Sequence, residues 1–117
     1  MSGSTPSGPA IDEAVLARLF AAIEARRGAD PKSSYTARLF GAGAAKIAQK
    51  VGEEAVEAVI ASLNGQKRDI TSESADLLYH LLVLWAYHGI DPAEVWAELA
   101  RREGVSGVAE KDSRKKD

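Results

Sequence analysis

Residues 77–87, LLYHLLVLWAY, are apolar at almost every position, and this stretch decides the fold of the chain. At about 100° per residue, its leucines and Trp85 cover most of the circumference of a helix. A helix that is apolar nearly all round is normally buried. The links on either side are short, which favours antiparallel helical neighbours. The stretch therefore predicts an all-α bundle with this helix at its centre.

Four further segments carry helical periodicity or helix-boundary residues, and none alternates long enough to predict a strand. The sequence Asp91-Pro92-Ala93-Glu94 combines a capping box with Pro at the first helical position. The polar residues 1–10 and 105–117 predict a disordered N-terminal tail and an irregular C-terminal tail around a helical domain at 11–104. The expected fold is a bundle of four to five helices, at about 11–27, 35–40, 44–63, 69–88 and 92–103.

The central helix also predicts association between copies of the chain. A chain of 117 residues with four helices has little material to cover one helix on all sides. A second subunit would complete that burial, so we expect a homodimer joined through this helix. The alternative is a compact monomer.

Composition narrows the functional classes. The formal net charge of −2 provides no global basic field that would attract nucleic acid, so no nucleic-acid partner is expected. The chain has no cysteine, which excludes disulfides, thiolate metal sites and a Cys nucleophile. The N-terminal residues lack the charged and apolar regions of a signal peptide, and the longest apolar run is too short for a bilayer. These features predict a cytoplasmic protein without a membrane partner.

Four acids form two pairs with i, i+3 spacing: Glu54 with Glu57, and Glu73 with Asp76. Residues three apart project side by side from a helix, so each pair places two carboxylates together. If the two helices pack antiparallel, the pairs can face each other. Hard oxygen ligands of this kind suit Mg²⁺, which retains open positions for water and phosphate oxygens.

Acids at this spacing more often form the solvated face of a helix, and that explanation stays the commoner one for the spacing alone. The second pair, however, begins the nearly all-apolar helix, where unpaired like charges are costly. Two such pairs on neighbouring helices therefore make a divalent-cation site a plausible alternative.

Three stretches together resemble a known family: residues 34–66 (SYTARLFGAGAAKIAQKVGEEAVEAVIASLNGQ), 73–102 (ESADLLYHLLVLWAYHGIDPAEVWAELARR) and 106–115 (SGVAEKDSRK). They resemble the phosphoribosyl-ATP pyrophosphohydrolases, which belong to the MazG-like all-α nucleotide pyrophosphohydrolases. The resemblance implies a MazG-like bundle and the second step of histidine biosynthesis. In that step, Mg²⁺-dependent hydrolysis of the α–β phosphoanhydride of phosphoribosyl-ATP yields phosphoribosyl-AMP and pyrophosphate.

The resemblance also implies roles for individual residues. The metal-binding acids of the family fall on Glu54, Glu57, Glu73 and Asp76 of this sequence. The adjacent Glu53 is expected to orient or deprotonate the attacking water, so that Glu53, Glu54 and Glu57 are the expected catalytic acids. The C-terminal match implies that the tail contacts substrate. The expected phosphate-binding residues are Arg38, Lys46, Lys50, Lys111 and Arg114.

Two alternatives remain at this stage. A MazG-like house-cleaning pyrophosphohydrolase that acts on non-canonical nucleoside triphosphates would share the metal site, although the C-terminal motif argues against it. A non-catalytic helical dimerisation module would carry the same acids as a solvated face and would bind no Mg²⁺ specifically.

Overall fold

The computed structural model is a helical bundle, and it describes residues 8–105 and 107–115. Within these ranges all regular secondary structure is helical, which confirms the all-α prediction. The helices are α1 (Ala14–Ala25), α2 (Tyr35–Ala42), α3 (Ala44–Asn64), α4 (Lys67–Tyr87), α5 (Pro92–Arg102) and α6 (Gly107–Lys115).

The helices α3 and α4 form a long antiparallel hairpin, which is the most extensive packing contact between elements of the fold. Only Gly65 and Gln66 separate the two helices. Gly65 adopts φ +75°, a left-handed conformation that ends α3 and favours glycine. Because the turn is so short, residues at similar distances from it come face to face. The hairpin therefore brings the acids of α3 close to the acids of α4.

The C-terminal half of α4 lies in the hydrophobic core, as its sequence predicted. Leu82 and Val83 are fully buried and Ala86 is nearly so. Ile47 of α3 and Leu39 of α2 pack against them in the same cluster. The helix α1 contributes Ile23 and covers another side of α4. One chain thus buries one side of the C-terminal half of this helix, whereas Leu77 and Leu81 stay partly exposed and Leu78 is 43% exposed.

The short helix α2 is fixed at both ends. Ser34 is its N-cap, and the buried Ser34 side chain accepts a hydrogen bond from the backbone N–H of Ala37 at 3.1 Å. At the other end Gly43 has φ +92°, which breaks the chain direction between α2 and α3. The predicted helical segment at 35–40 is therefore a complete helix of eight residues.

The prediction of an irregular C-terminal tail was wrong, because residues Gly107–Lys115 form α6. This segment contains only two apolar side chains, Val108 and Ala109, so its sequence gave little helical signal. Its helix is favoured instead by intrinsic propensity, to which Ala109, Lys111 and Arg114 contribute. The expected disordered tail at residues 1–10 lies mostly outside the described residues.

Several apolar side chains remain exposed on α3, and Leu63 is 82% exposed. In the middle of α4, Leu78 is also exposed, at 43%. Exposed apolar side chains therefore lie on α3 and, at Leu78, in the middle of α4. We define the apolar face of α3 as Val56, Val59, Ile60 and Leu63.

None of the helices in residues 8–105 and 107–115 combines the length and apolar character needed to cross a membrane.

Candidate metal and phosphate site

Three of the four predicted acids meet between α3 and α4. One carboxylate oxygen from each of Glu54, Glu73 and Asp76 lies within 4.8 Å of the others. Glu54 and Glu73 are partly buried, whereas Asp76 is exposed. The cluster combines one acid of the α3 pair with both acids of the α4 pair. It is the only group in the described part of the chain with this metal-binding geometry.

Glu57 lies beside this cluster but is not a member of it. Together with Glu73 and Asp69 it lines an adjoining cleft of about 150 Å³ between the same helices. Its charge still reaches the cluster, because Glu57 helps to raise the pKa of Glu73. Asp69 adds a further negative charge at this end of the hairpin.

The donor set of the three clustered acids fits a hard divalent cation. Octahedral Mg²⁺ with ligand distances of roughly 2.0–2.1 Å needs oxygens roughly 2.9 Å apart in cis positions and 4.2 Å apart in trans positions. The carboxylate oxygens, within 4.8 Å of one another, are close to that spacing. Side-chain rotation supplies the remaining adjustment. Glu54, Glu73 and Asp76 are therefore able to hold such an ion.

The environment of the Glu73 carboxylate also favours a bound cation. Burial raises the pKa of this carboxyl above its usual value, and the neighbouring charges of Asp76, Glu57 and Glu54 raise it further. A carboxylate in this setting is ionised at a cost unless a cation compensates it. The site thus favours a positive charge between the two helices.

This pKa shift predicts how stability depends on pH without metal. A carboxyl whose pKa is higher in the folded state binds more protons folded than unfolded, so stability falls as pH rises through the interval above 4.5. We expect metal-free protein in EDTA to lose thermal stability over that interval. The variant Glu73→Gln should lose less, and added Mg²⁺ should restore the wild type. Identical pH profiles for the two proteins would contradict this account.

Lys50 lies beside the acid Glu54 and also lines a cavity with other cationic side chains. Its ammonium donates a hydrogen bond to Glu53 Oε1 at 3.1 Å and lies 3.9 Å from Glu54 Oε2. The hydrogen bond to Glu53 raises the pKa of Lys50, which keeps its positive charge. Hydrogen bonds from Gln49 and Lys50 lower the pKa of Glu53. A lowered pKa makes Glu53 a weaker base but leaves it suited to orienting a water molecule.

Three of the predicted phosphate-binding residues line one cavity. Arg38 from α2 and Lys46 and Lys50 from α3 surround about 200 Å³. Glu53 lies at its edge, so the cavity adjoins the acidic end of Lys50. Typical ligand pockets occupy roughly 300–1,000 Å³, so this space suits part of a nucleotide, such as its phosphate chain. The sequence gave these cations no common location, which the packing of α2 against α3 supplies.

The other two predicted phosphate-binding residues lie on α6. Lys111 and Arg114 are exposed, and neither lines the cavity formed by Arg38, Lys46 and Lys50. The structure therefore groups site residues of α2 and α3 around this cavity, and α6 contributes none to its lining.

Tyr35 belongs to the cavity wall as well, and it is the first residue of α2. Its hydroxyl forms a hydrogen bond with Nε2 of the buried His80 at 3.0 Å. His80 Nδ1 lies 2.7 Å from the backbone carbonyl oxygen of Asp76. Only the tertiary packing of α2 on α4 reveals this connection.

An all-α bundle that holds clustered acids beside a cationic cavity agrees with the MazG-like nucleotide pyrophosphohydrolases, the class to which the family of this chain belongs. A family sequence profile identifies one family within this class. The profile described as Phosphoribosyl-ATP pyrophosphohydrolase matches residues 16–103, and the chain belongs to this family of enzymes.

Individual relatives agree with the family profile. A phosphoribosyl-ATP pyrophosphatase of Azospirillum brasilense is 65% identical over 105 residues, covering 90% of this chain and 95% of the relative. The protein of the same name from Paramagnetospirillum magneticum is 59% identical, covering 90% and 96%. That of Rhodospirillum rubrum is 56% identical over 113 residues, covering 97% and 93%. The similarity therefore extends over nearly the whole length of both partners.

Proposed function

We propose that this enzyme hydrolyses the α–β phosphoanhydride of phosphoribosyl-ATP in the presence of Mg²⁺, releasing phosphoribosyl-AMP and pyrophosphate. The observation that carries the proposal is the close approach of Glu54, Glu73 and Asp76 beside a cationic cavity. Acids for a divalent cation and cations for phosphate oxygens are the two components that phosphoanhydride hydrolysis requires. The relatives named phosphoribosyl-ATP pyrophosphatase support the choice of substrate.

The carboxylates of Glu54, Glu73 and Asp76 hold the ion in this proposal, and Glu57 adds negative charge beside it. A bound Mg²⁺ would neutralise phosphate charge and make a bound water more acidic. Glu53 orients the water for in-line attack on phosphorus, since its hydrogen bonds to Gln49 and Lys50 fix its carboxylate.

The cationic side chains bind and orient the phosphate chain. Arg38, Lys46 and Lys50 supply three positive charges in one cavity, and Lys50 also contacts the acidic residues. In this proposal the scissile bond lies between the cations and the carboxylates. Lys111 and Arg114 of α6 remain additional phosphate partners in the proposal, by analogy with the matching motif of the family.

Pyrophosphate release from a panel of substrates tests the proposal. Wild-type enzyme with Mg²⁺ should release pyrophosphate from phosphoribosyl-ATP, and chelation by EDTA should stop the reaction. Canonical and non-canonical nucleoside triphosphates should be much poorer substrates. Preference for a non-canonical triphosphate would identify a house-cleaning enzyme instead. Absence of both turnover and specific Mg²⁺ binding would favour the non-catalytic dimerisation module.

We also propose that two copies associate through the apolar face of α3. Val56, Val59 and Ile60 are about half exposed and Leu63 is more so, in one continuous helical stripe. An apolar stripe of this kind on a soluble helix usually marks an interface. A second copy would bury it and extend the hairpin of α3 and α4 into a larger bundle.

A charged substitution on this face tests the dimer. The variant Val59→Glu should shift the protein from dimer to monomer in light scattering coupled to size-exclusion chromatography, because a desolvated carboxylate opposes association. The variant Ala22→Glu, on an exposed position of α1, provides the control and should remain dimeric. A wild-type protein that is monomeric at every concentration would contradict the proposal.

A further inference from the structure

In the hydrogen bond between Tyr35 and His80, the other contacts of His80 determine which of the two residues donates the proton. His80 Nδ1 faces the backbone carbonyl oxygen of Asp76, which can only accept, so Nδ1 carries the hydrogen. In the neutral imidazole, Nε2 is then an acceptor. The hydroxyl of Tyr35, 3.0 Å away, must therefore donate its proton to His80.

The environment keeps this arrangement in place. His80 is only 6% exposed, and its two ring nitrogens are matched by these two partners. Burial raises the pKa of Tyr35, so the phenol retains the proton that it donates. Ring contacts with Tyr79 and His80 hold the side chain further, with centroids 6.2 and 5.8 Å from that of Tyr35.

The same side chain is still accessible to a ligand. Tyr35 is 43% exposed and lines the cavity with Arg38, Lys46 and Lys50. Since its only polar proton is engaged by His80, its oxygen offers lone pairs alone. Lys50, the cavity cation whose charge acts on Tyr35, donates to Glu53. Tyr35 therefore presents an acceptor to whatever occupies the cavity.

An acceptor is the wrong partner for a phosphate oxygen. Phosphate oxygens are themselves acceptors, and the three cations of the cavity serve them. The donors of a nucleotide are its sugar hydroxyls and the amino group of its base. The sugar is joined directly to the phosphate chain, whereas the base lies one sugar further away. A sugar hydroxyl is thus the donor that reaches an acceptor in the wall of a phosphate cavity.

We propose that Tyr35 is a specificity-determining residue that accepts a hydrogen bond from a sugar hydroxyl of the nucleotide substrate. The inference rests on the proposed function and deepens it, because it orients the substrate. The sugar lies at the start of α2, and the phosphate chain extends from there towards the carboxylates of α3 and α4. Because Tyr35 donates its own proton to His80, the sugar hydroxyl is the donor in this contact and Tyr35 is the acceptor.

The variant Tyr35→Phe tests the inference, with Tyr79→Phe as a matched control. The Tyr79 hydroxyl forms the neighbouring hydrogen bond between the same two helices, to Thr36 Oγ1, but Tyr79 does not line the cavity. Both variants lose one such bond, so both should unfold at lower temperatures. Only Tyr35→Phe should raise KM for phosphoribosyl-ATP, by about 3- to 10-fold for one lost hydrogen bond.

Inhibition by tripolyphosphate separates sugar recognition from phosphate binding. This probe has a phosphate chain and no sugar, so Tyr35→Phe should leave its inhibition constant unchanged, whereas Arg38→Ala should weaken inhibition. Three results would overturn the inference while the proposed function stands. KM could be unchanged in Tyr35→Phe, or KM could rise equally in Tyr79→Phe. Tyr35→Phe could also lose tripolyphosphate inhibition to the same extent as it loses affinity for phosphoribosyl-ATP. Lack of inhibition in the wild type would contradict the phosphate cavity itself. A wild type inactive on phosphoribosyl-ATP would overturn the proposed function and the inference with it.

Discussion

Replacement of Glu54 by Gln is expected to reduce kcat for phosphoribosyl-ATP by about 10²- to 10³-fold, the usual effect of removing one electrostatic group from a reaction centre. Glu54 is the only α3 residue in the carboxylate cluster with Glu73 and Asp76. The neutral amide keeps the shape of the side chain but removes an anionic ligand. Steady-state kinetics with varied Mg²⁺ should show a lower kcat and a higher Mg²⁺ requirement.

The variant Asp69→Asn is the matched control for this experiment. It removes one negative charge from the same end of the hairpin, but Asp69 lies outside the cluster. We expect a small effect in Asp69→Asn and an intermediate one in Glu57→Gln, whose carboxylate adjoins Glu73. Near-normal, Mg²⁺-dependent turnover in Glu54→Gln would show that the cluster is not the metal site.

Replacement of Leu82 by Ala is expected to have the largest effect on stability. Leu82 is fully buried at the centre of α4, among residues of α1, α2 and α3. Truncation removes apolar contacts and leaves a cavity, which costs about 2–5 kcal/mol in comparable cores. For a domain of this size, the unfolding temperature should fall by roughly 10 to 20 °C. Denaturant titration and calorimetry at fixed protein concentration measure both quantities.

The variant Leu99→Ala is the control, because it makes the same truncation at a leucine that is partly exposed to solvent. Leu99 of α5 is 53% exposed, so much of its side chain already contacts water. Its truncation should cost clearly less than that of Leu82. Equal losses in the two variants would contradict the central position of α4 in the core.

The sequence predicted the parts of the fold that depend on local signals. The apolar run of α4 and the capping box before α5 each have a local physical cause, and each lies where it was expected. The polar helix α6 was missed because its residues bury no apolar stripe. The distribution of exposed apolar surface was not predictable either, since it depends on how α1 and α2 cover α4.

The candidate site likewise has a part that the sequence predicted and a part that only the packing of the helices produces. Spacing predicted that acids of α3 and α4 would meet, and the short hairpin turn brings three of them together. Spacing did not separate Glu54 from Glu57, because their difference arises from the rotation of α3 about its axis. The shared cavity of Arg38, Lys46 and Lys50 depends on the packing of α2 on α3. The contact between Tyr35 and His80 spans 45 residues and has no local signature.

The identity of the products tests the central claim most directly. Phosphorus NMR of phosphoribosyl-ATP incubated with the enzyme and Mg²⁺ should show phosphoribosyl-AMP and pyrophosphate in equal amounts. The reaction should slow by about 10²- to 10³-fold in Glu54→Gln and persist in Asp69→Asn. Release of orthophosphate with phosphoribosyl-ADP, or unaltered substrate under these conditions, would contradict cleavage of the α–β bond at the carboxylate cluster.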